Sequence, residues 1–309
     1  MTRSIAGILA IGFCVLTGCG GGSGGSGGDI SAGGEITLVG RHSSSGTYDY
    51  FRERVLGKGR DYTNNISGQS GSKAIVELIT NTPSAIGYSG MGYATEEVKM
   101  LEVSDDGDPV APTVANAVTG DYPLARPLYM YTLGEPEGAV KHYIEWIMST
   151  AGQTILINEG YVPLNEADYV TPESDAPPEG SVTINIAGSD TLVNVAGRWA
   201  EQYNKDFPNV SPQVSGGGSG TGIASLINGS IEIANASRPM KQEEIEKAEA
   251  NGDGKKVQEF IVGRDALAVY VHAENPLSSI SIKDLAEIYG DEGKITNWSQ
   301  VEGWPSNGN

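Results

Sequence analysis

Four segments of the sequence place small hydroxyl residues and glycines where a strand-like run turns into a helix-like run. They are residues 41–47 (RHSSSGT), 188–191 (GSDT), 215–222 (SGGGSGTG) and 236–239 (ASRP). A helix that begins in such a turn exposes free backbone N–H groups and the positive end of its dipole, and both favour an anion. Hydroxyl groups add hydrogen-bond donors, and glycine lets the backbone approach a ligand closely. The residue types therefore predict a binding site for a small oxyanion.

Each turn has a simpler explanation when it is considered alone. Ser, Thr and Asp before a helix are common N-caps, and a glycine-rich run is often a mobile loop. Arg41 and Arg238 are also compatible with ordinary surface positions. Four such turns with two arginines in one chain favour a shared site, because turns at the carboxyl ends of α/β strands converge on one crevice.

The sequence does not match the motifs of a P-loop, a nucleophile elbow or a metal site. The glycine-rich run contains no lysine, which a P-loop requires, and Thr221 occupies the last glycine position of a nucleophile elbow around Ser219. The three histidines, His42, His142 and His272, belong to no cluster of Cys or carboxylate residues at metal-ligand spacing. We expect no catalytic residues, no metal and no cofactor. A phosphoester hydrolase that uses Ser45 or Ser219 with His42 stays an alternative, because a triad is defined in space rather than by spacing.

Alternating strands and helices must position these turns. Strands are predicted at 35–40, 182–188 and 266–272, and amphipathic helices at 47–56, 140–156 and 192–207. Such alternation predicts the α/β fold class. Residues 166–180 are rich in proline and acidic residues and have no apolar periodicity, so they predict a linker.

Length and charge limit the class of protein. The chain has 309 residues, which is enough for two lobes with their own cores. The formal net charge is −19, and no Lys/Arg run occurs. A surface this acidic repels phosphodiester backbones, so nucleic acid is excluded as a partner.

The first residues predict export and a lipid anchor. Arg3 precedes a short apolar run that ends in LTGC, residues 16–19, which resembles the lipobox of bacterial lipoproteins. The resemblance implies a signal peptide at 1–18, lipidation of Cys19, and a Gly/Ser tether through residue 34. Cys14 would leave with the signal, so we expect no disulfide in the mature chain. A plain secretory signal is the alternative.

Taken together, six segments resemble a known family. They are AGSDT, SGGGSGTGI, ANASRPM, RHSSSGTYDYF, PSAIGY and GQTILINEGYVPL. The set is similar to the substrate-binding lipoproteins of high-affinity phosphate ABC transporters, and it covers nearly all of residues 35–309 outside the linker. The resemblance implies a type II periplasmic-binding-protein fold, with two α/β lobes around a ligand cleft.

The order of the segments differs from the usual order in that family. Residues 35–165 correspond to the second part of a typical member, and residues 181–309 correspond to the first. The chain therefore resembles a circular permutant in which the linker bridges the old ends, as exposed termini permit. The resemblance implies one split lobe at 35–124 plus 266–309 and one lobe at 125–265. YPLARPLY and GRDALAVY would be the crossing strands. Two unrelated fragments that never close together are the alternative.

The family motifs imply roles for individual residues. Arg41 would be the charged clamp, because its planar guanidinium meets two oxygens at once. The other implied phosphate contacts are Thr191, Leu192, Ser219, Ser45, Gly46 and Thr47, with Ser237 and Arg238 in the turn after a strand.

One position departs from the family pattern. Where well-studied members carry an aspartate after the serine that matches Ser237, this chain has Arg238. That aspartate accepts the proton of hydrogen phosphate, so its absence puts selectivity against sulfate in doubt. Asp190 is a candidate replacement acceptor, or a helix cap. The aspartate that often pairs with the clamp arginine also lacks a counterpart in the motif, with Ser43 nearby instead.

The predicted function is extracytoplasmic binding of inorganic phosphate for an ABC permease, by a monomer anchored to the membrane through Cys19 on the outer, periplasmic or extracellular, side. The alternatives are a binder of sulfate or molybdate, the phosphoester hydrolase, and a surface protein that keeps the fold without transport.

Overall fold

The computed structural model describes residues 33–172 and 181–305. The predicted signal peptide, Cys19, most of the tether and the second half of the linker lie outside the described residues. The strands are β1 (Thr37–Arg41), β2 (Ser67–Gln69), β3 (Ala85–Gly90), β4 (Val98–Ser104), β5 (Ala125–Leu133), β6 (Val182–Gly188), β7 (Val210–Gly217), β8 (Ile233–Ala236), β9 (Val257–His272) and β10 (Ser279–Ser281).

Helices alternate with these strands. They are α1 (Gly46–Phe51), α2 (Ser72–Thr80), α3 (Val114–Thr119), α4 (Gly138–Ile147), α5 (Thr150–Asn158), α6 (Val193–Asp206), α7 (Ser219–Ile227), α8 (Gln242–Asn251) and α9 (Ile282–Tyr289). A π-helical turn, Arg52–Leu56, continues α1, and short 3₁₀ turns occur at Met91–Tyr93, Glu166–Asp168 and Trp298–Gln300. The predicted α/β class is confirmed. Within the part of the chain described, no helix is both long and apolar enough to cross a bilayer.

The long strand β9 connects two groups of strands. Its first part pairs antiparallel with β5, from Leu133 opposite Val257 to Ala125 opposite Ala266. Its second part pairs with β3 and β4. Beyond β5, strands β8, β6 and β7 follow in parallel, and beyond β3 lie β1 and β2. β5 and β9 are therefore the strands that cross between the two halves of the sheet.

The buried side chains divide in the same way and define two lobes. One cluster draws on residues 36–124 and 266–301, joined by Val162, and we call the chain segments 33–124 and 266–305 lobe A. Two further clusters draw on residues 128–262, and we call the segments 125–172 and 181–265 lobe B. Burial of these apolar surfaces is what stabilises each lobe. The numerical domain bounds predicted from the sequence stay a prediction.

One predicted helix is divided. The run 140–156 reads as a single amphipathic helix, but α4 ends at Ile147 and α5 begins at Thr150. A Cβ on Gly152 would lie 2.2 Å from the Ile147 carbonyl oxygen, so the two helices meet in a corner that only glycine allows. Gln153 Nε2 donates to the same carbonyl at 3.0 Å and to that of Val262 at 3.0 Å. These tertiary contacts override the local helical pattern.

The first and last described residues lie side by side. The Ile36 N–H donates to the Thr296 carbonyl at 2.9 Å, and the Trp298 N–H donates to the Gly34 carbonyl at 2.9 Å. Trp304 stacks on Trp298 with ring centroids 5.5 Å apart. The two ends of lobe A are thus adjacent, which is the geometry that a circular permutation needs.

Candidate functional site

Arg41 lies at the end of β1 and is the most deeply placed cation of the four predicted turns. Its side chain is 1% exposed, and Nη1 donates to Ser72 Oγ at 3.1 Å while Nη2 donates to the Ser70 carbonyl at 3.3 Å. Its Nε has no partner among the described residues. Burial lowers the pKa of Arg41, and the carboxylate of Asp190 opposes that effect. A buried guanidinium with a free donor favours an anion beside it.

Arg41 pairs with a carboxylate that lies outside its own motif. Asp190 Oδ2 lies 2.7 Å from Arg41 Nη2, and Asp190 Oδ1 accepts the Gly217 N–H at 2.9 Å. The expectation that this partner was missing, with Ser43 nearby instead, was wrong. Ser43 is exposed, and the partner comes from lobe B, 149 residues along the chain. The pair joins the two lobes across the cleft.

The two threonines of the motifs meet. Thr47 Oγ1 lies 3.0 Å from Thr191 Oγ1, and both side chains are buried. Ser45 caps α1, because its Oγ accepts the Thr47 N–H at 3.1 Å. The capping interpretation therefore holds for Ser45, yet its hydroxyl hydrogen is still available to a ligand.

Gly46 faces the turns of lobe B at very short range. A Cβ on Gly46 would lie 2.3 Å from Ser219 Oγ and 2.8 Å from Ser237 Oγ. The Ser237 N–H donates to Ser219 Oγ at 3.1 Å, which holds these two serines together. The Gly220 N–H donates to the Ser44 carbonyl at 2.9 Å, again between the lobes. Lobe closure therefore depends on the absence of a side chain at Gly46.

The glycine-rich loop has the conformation that its composition predicts. Gly217 and Gly218 have φ values of +114° and +93°, which L side chains rarely adopt. The Gly218 N–H donates to the Gly188 carbonyl at 2.9 Å, so the loop packs against the GSDT turn. In that turn the Leu192 N–H donates to the Ser189 carbonyl at 3.0 Å. This N–H is thus satisfied within its own turn, although the family motif implies it as a ligand contact.

Arg238 has a different role from the one expected. Its Nη1 and Nη2 both lie 2.7 Å from the carboxylate of Glu244, and its Nε lies 2.8 Å from Asp49 Oδ2. These carboxylates keep the pKa of Arg238 raised against the desolvation that lowers it. The guanidinium is neutralised by lobe B on one side and by α1 of lobe A on the other. The structure corrects the expectation that Arg238 adds attraction for the ligand.

Asp49 therefore bridges the lobes, and its removal has a testable consequence. We expect Asp49→Asn to shift the protein towards an open conformation, because the substitution removes the carboxylate between Arg238 and Lys241. Small-angle scattering should report a larger radius of gyration than for the native chain. Asp105→Asn is the matched control, since Asp105 pairs with Arg54 inside lobe A. An equal change in both variants would contradict the prediction.

Sequence reasoning missed one arginine that lies in the cluster. Arg126 is 2% exposed, and its Nη2 donates to Thr47 Oγ1 at 2.9 Å and to Thr191 Oγ1 at 3.2 Å. The same Nη2 lies 2.9 Å from Asp265 Oδ2, in a pair whose side chains are 1% and 0% exposed. The available signal was Arg126 as the one charge in the crossing strand YPLARPLY, together with Arg264 and Asp265 in GRDALAVY. A charge inside an apolar strand is rarely buried unless it is paired.

The described contacts give no support to the hydrolase alternative. His42 is exposed, and its Nε2 lies 3.0 Å from the Gly68 carbonyl oxygen. Ser45 and Ser219 accept backbone N–H groups instead of contacting a histidine. In the described ranges, no group of three or more His, Cys, Asp or Glu side chains could hold a metal ion. The cluster is an array of hydroxyl, amide and guanidinium donors, which suits binding of an oxyanion.

Comparison with known proteins places the chain among binding proteins. The model of the PBP superfamily domain matches residues 26–151 and 173–309. The chain is 31% identical over 307 residues to the phosphate-binding protein PstS 2 of Streptococcus agalactiae serotype V, covering 96% of each chain. A solved phosphate-binding protein of a phosphate ABC transporter from Streptococcus pneumoniae superposes with a TM-score of 0.65 at 25% identity. That match covers 87% of this chain and all of the other.

The extent of these alignments bears on the order of the segments. A collinear match along 96% of both chains means that the S. agalactiae relative has its segments in the same order as this chain. The phosphate-binding protein PstS of Pseudomonas aeruginosa is 36% identical, but over only 135 residues, or 42% of each chain. A single block of that size is what a collinear alignment retains when two halves are exchanged.

Proposed function

We propose that this chain, which belongs to the PBP superfamily and within it to the phosphate-binding PstS proteins, binds inorganic phosphate outside the cytoplasmic membrane. It then delivers the phosphate to an ABC permease. The protein is a binding protein without covalent chemistry. It is a monomer held at the outer surface of the membrane by lipid on Cys19. Its two lobes follow the bounds 35–124 plus 266–309 and 125–265.

One observation carries this proposal. Arg41 is a buried cation with an unpartnered Nε, and it pairs with Asp190 of the GSDT turn. Hydroxyl groups of the four turns meet in pairs, Thr47 with Thr191 and Ser219 with Ser237. Donors that are fixed before the ligand arrives bind an anion without having to reorganise. In a chain with a net charge of −19, such a local array is what makes anion binding possible.

The proposed phosphate contacts come from both lobes. Lobe A supplies Arg41, Ser45, Gly46 and Thr47, and lobe B supplies Thr191, Ser219 and Ser237. We leave out Leu192 and Arg238, because their donors already have protein partners. Ligand contacts from both lobes favour the closed state, so phosphate shifts the equilibrium towards closure.

Asp190 is the proposed acceptor for the proton of hydrogen phosphate. It borders the cluster beside Arg41, and a carboxylate accepts further hydrogen bonds on its remaining lone pairs. Sulfate carries no proton at neutral pH, so it would place an unshielded oxygen against this carboxylate. The protein is therefore proposed to prefer phosphate over sulfate.

Calorimetric titration of the soluble chain that begins at Asp29 tests the proposal. We expect one phosphate per chain at neutral pH and much weaker binding of sulfate. Equal binding of the two ions would contradict the role of Asp190. Binding of sulfate or molybdate without phosphate, or of no oxyanion, would contradict the proposed function. Turnover of a chromogenic phosphoester would contradict the absence of chemistry.

The permuted order has its own test. We expect phosphate affinity to change by less than about threefold when residue 305 is joined to residue 33 through a short Gly/Ser linker and the chain is opened within 173–180. The reason is that the ends of lobe A already touch through Gly34 and Trp298, so the new connection leaves both cores intact. Calorimetry on the reordered chain measures this.

A chain joined in the same way but opened inside α6 is the control for that test. Because α6 packs Trp199 and Tyr203 into the core of lobe B, we expect this control to fold poorly. A reordered chain that folds but binds phosphate far more weakly would show that the linker position matters for the cleft.

A further inference from the structure

Arg126 contacts three of the four binding turns with one side chain. Besides its contacts with Thr47 and Thr191, its Nη1 donates to the Ser237 carbonyl at 3.1 Å. Thr47 belongs to lobe A, whereas Thr191 and Ser237 belong to lobe B. Arg126 itself lies on the crossing strand β5. Its contacts with both threonines therefore exist together only when the lobes are closed.

Asp265 on the other crossing strand fixes the orientation of this guanidinium. Asp265 Oδ2 accepts from Arg126 Nε at 3.2 Å and from Nη2 at 2.9 Å. The ring of Tyr50 also lies over the guanidinium, with 5.1 Å from Cζ to the ring centroid. Burial raises the pKa of Asp265, and Arg126 opposes this, so the paired charges stabilise one another. Within the described residues, the hydrogen bonds of Arg126 go to the Asp265 carboxylate, the Ser237 carbonyl and the two threonine hydroxyls.

The direction of the hydrogen bonds from Arg126 determines what the threonines do. A hydroxyl group has one hydrogen and two acceptor lone pairs. Because the guanidinium only donates, it occupies a lone pair on each of Thr47 Oγ1 and Thr191 Oγ1. The hydroxyl hydrogens must then point away from Arg126. The two oxygens are 3.0 Å apart, so one of the two hydroxyl hydrogens serves the contact between the threonines, and the other is left for a ligand.

We infer that Arg126, held by Asp265, is a positioning residue that leaves one hydroxyl hydrogen of the Thr47–Thr191 pair as a donor to the bound oxyanion. This inference rests on the proposed function. An ionised phosphate oxygen only accepts hydrogen bonds, so a hydroxyl that presents a lone pair to it would repel it. Arg126 prevents that orientation because it occupies a lone pair on each threonine oxygen. Its hydrogen bonds also connect Thr47 of lobe A with Thr191 of lobe B.

A double-mutant cycle tests this inference by calorimetric phosphate titration. The first change is the paired substitution Arg126→Gln with Asp265→Asn, which avoids leaving an unpaired buried charge. The second change is Thr191→Val, which removes the hydroxyl at similar volume. We expect Thr191→Val to weaken phosphate binding about 10-fold or more in the native chain. In the paired background it should cost less than about threefold, since the hydroxyl is no longer held as a donor.

Controls separate positioning from a purely structural role. Tyr122→Phe removes another buried hydrogen bond to a crossing strand, from Tyr122 Oη to the Leu267 carbonyl at 2.9 Å. In that background Thr191→Val should keep its full cost. Arg126→Lys keeps a cationic donor beside Asp265 and should recover part of the affinity that the paired substitution loses.

The outcomes are distinct. If the native chain binds no phosphate, the proposed function fails and this inference fails with it. If the native chain binds phosphate and Thr191→Val has the same cost in both backgrounds, only the inference is overturned. If the paired variant does not fold by circular dichroism, the cycle is repeated with Arg126→Met and Asp265→Asn, which also removes the cationic donor, and additive costs there overturn the inference as well.

Discussion

Replacing Arg41 with alanine is expected to lower phosphate affinity by roughly 100- to 1000-fold, which is the usual effect of truncating one partner of a buried charge pair. The substitution removes the positive charge beside the ligand and also leaves Asp190 without its partner at 2.7 Å. Phosphate would then enter a site in which Asp190 has lost its compensating guanidinium. Calorimetric titration measures the loss.

Two companion variants make the Arg41 result specific. Arg41→Lys keeps the charge but cannot meet two oxygens with a planar fork, so its affinity should lie between the native chain and alanine. Arg198→Ala removes an arginine whose side chain is 62% exposed on α6, and it should leave affinity unchanged. If Arg41→Ala binds phosphate as tightly as Arg198→Ala does, Arg41 is not the clamp.

Replacing Gly46 with valine is the second large effect that we expect. A Cβ at this position would lie 2.3 Å from Ser219 Oγ, far inside van der Waals contact, and valine adds two methyl groups beyond it. Overpacking of this kind costs about 1–3 kcal/mol. Because the clash arises between the lobes, that cost falls on the closed state and leaves the cores of the open lobes intact. Phosphate affinity should drop by about 10- to 100-fold while the melting temperature without phosphate stays near native.

The matched control for Gly46→Val is a glycine substitution in open space. A Cβ on Gly197, within α6 of lobe B, would have nothing within 4 Å, so Gly197→Ala should leave affinity unchanged and raise stability slightly. A Gly46→Val variant that binds phosphate normally would show that the lobes do not close to this distance. One that melts much earlier without phosphate would show that the clash lies within a lobe.

Several features of this protein follow from the sequence alone. Alternating apolar periodicities determine the α/β class, because a strand and a helix bury different spacings of residues. Gly217 and Gly218 have positive φ values, which favour glycine, and the glycine-rich composition of the loop indicates such a conformation. The order of the motifs is also a property of the sequence, so the hypothesis of a circular permutation needs no coordinates. The residue types at each turn, which are hydroxyl residues and glycines before a helix, can also be identified from a few neighbouring positions.

Only the tertiary structure decided which charges meet. Asp190 pairs with Arg41 across 149 residues of chain, and Asp49 meets Arg238 because lobe closure brings α1 against the turn after β8. The family motif implied Arg238 as a ligand contact beside Ser237, but its guanidinium is paired with Glu244 and Asp49. The sequence predicted only that Arg126 lies in a crossing strand, whereas in the structure its guanidinium donates to Thr47 and Thr191.

The physical reason is common to these cases. Backbone conformation and cap formation depend on neighbours a few residues away, so they leave local patterns. The partner of a buried charge is set by where separate elements pack, and a guanidinium reaches whichever carboxylate the fold brings within hydrogen-bonding distance. The sequence thus determined which hydrogen-bond donors each turn contains. The packing of the two lobes decided which of those donors already have protein partners and which remain for an oxyanion.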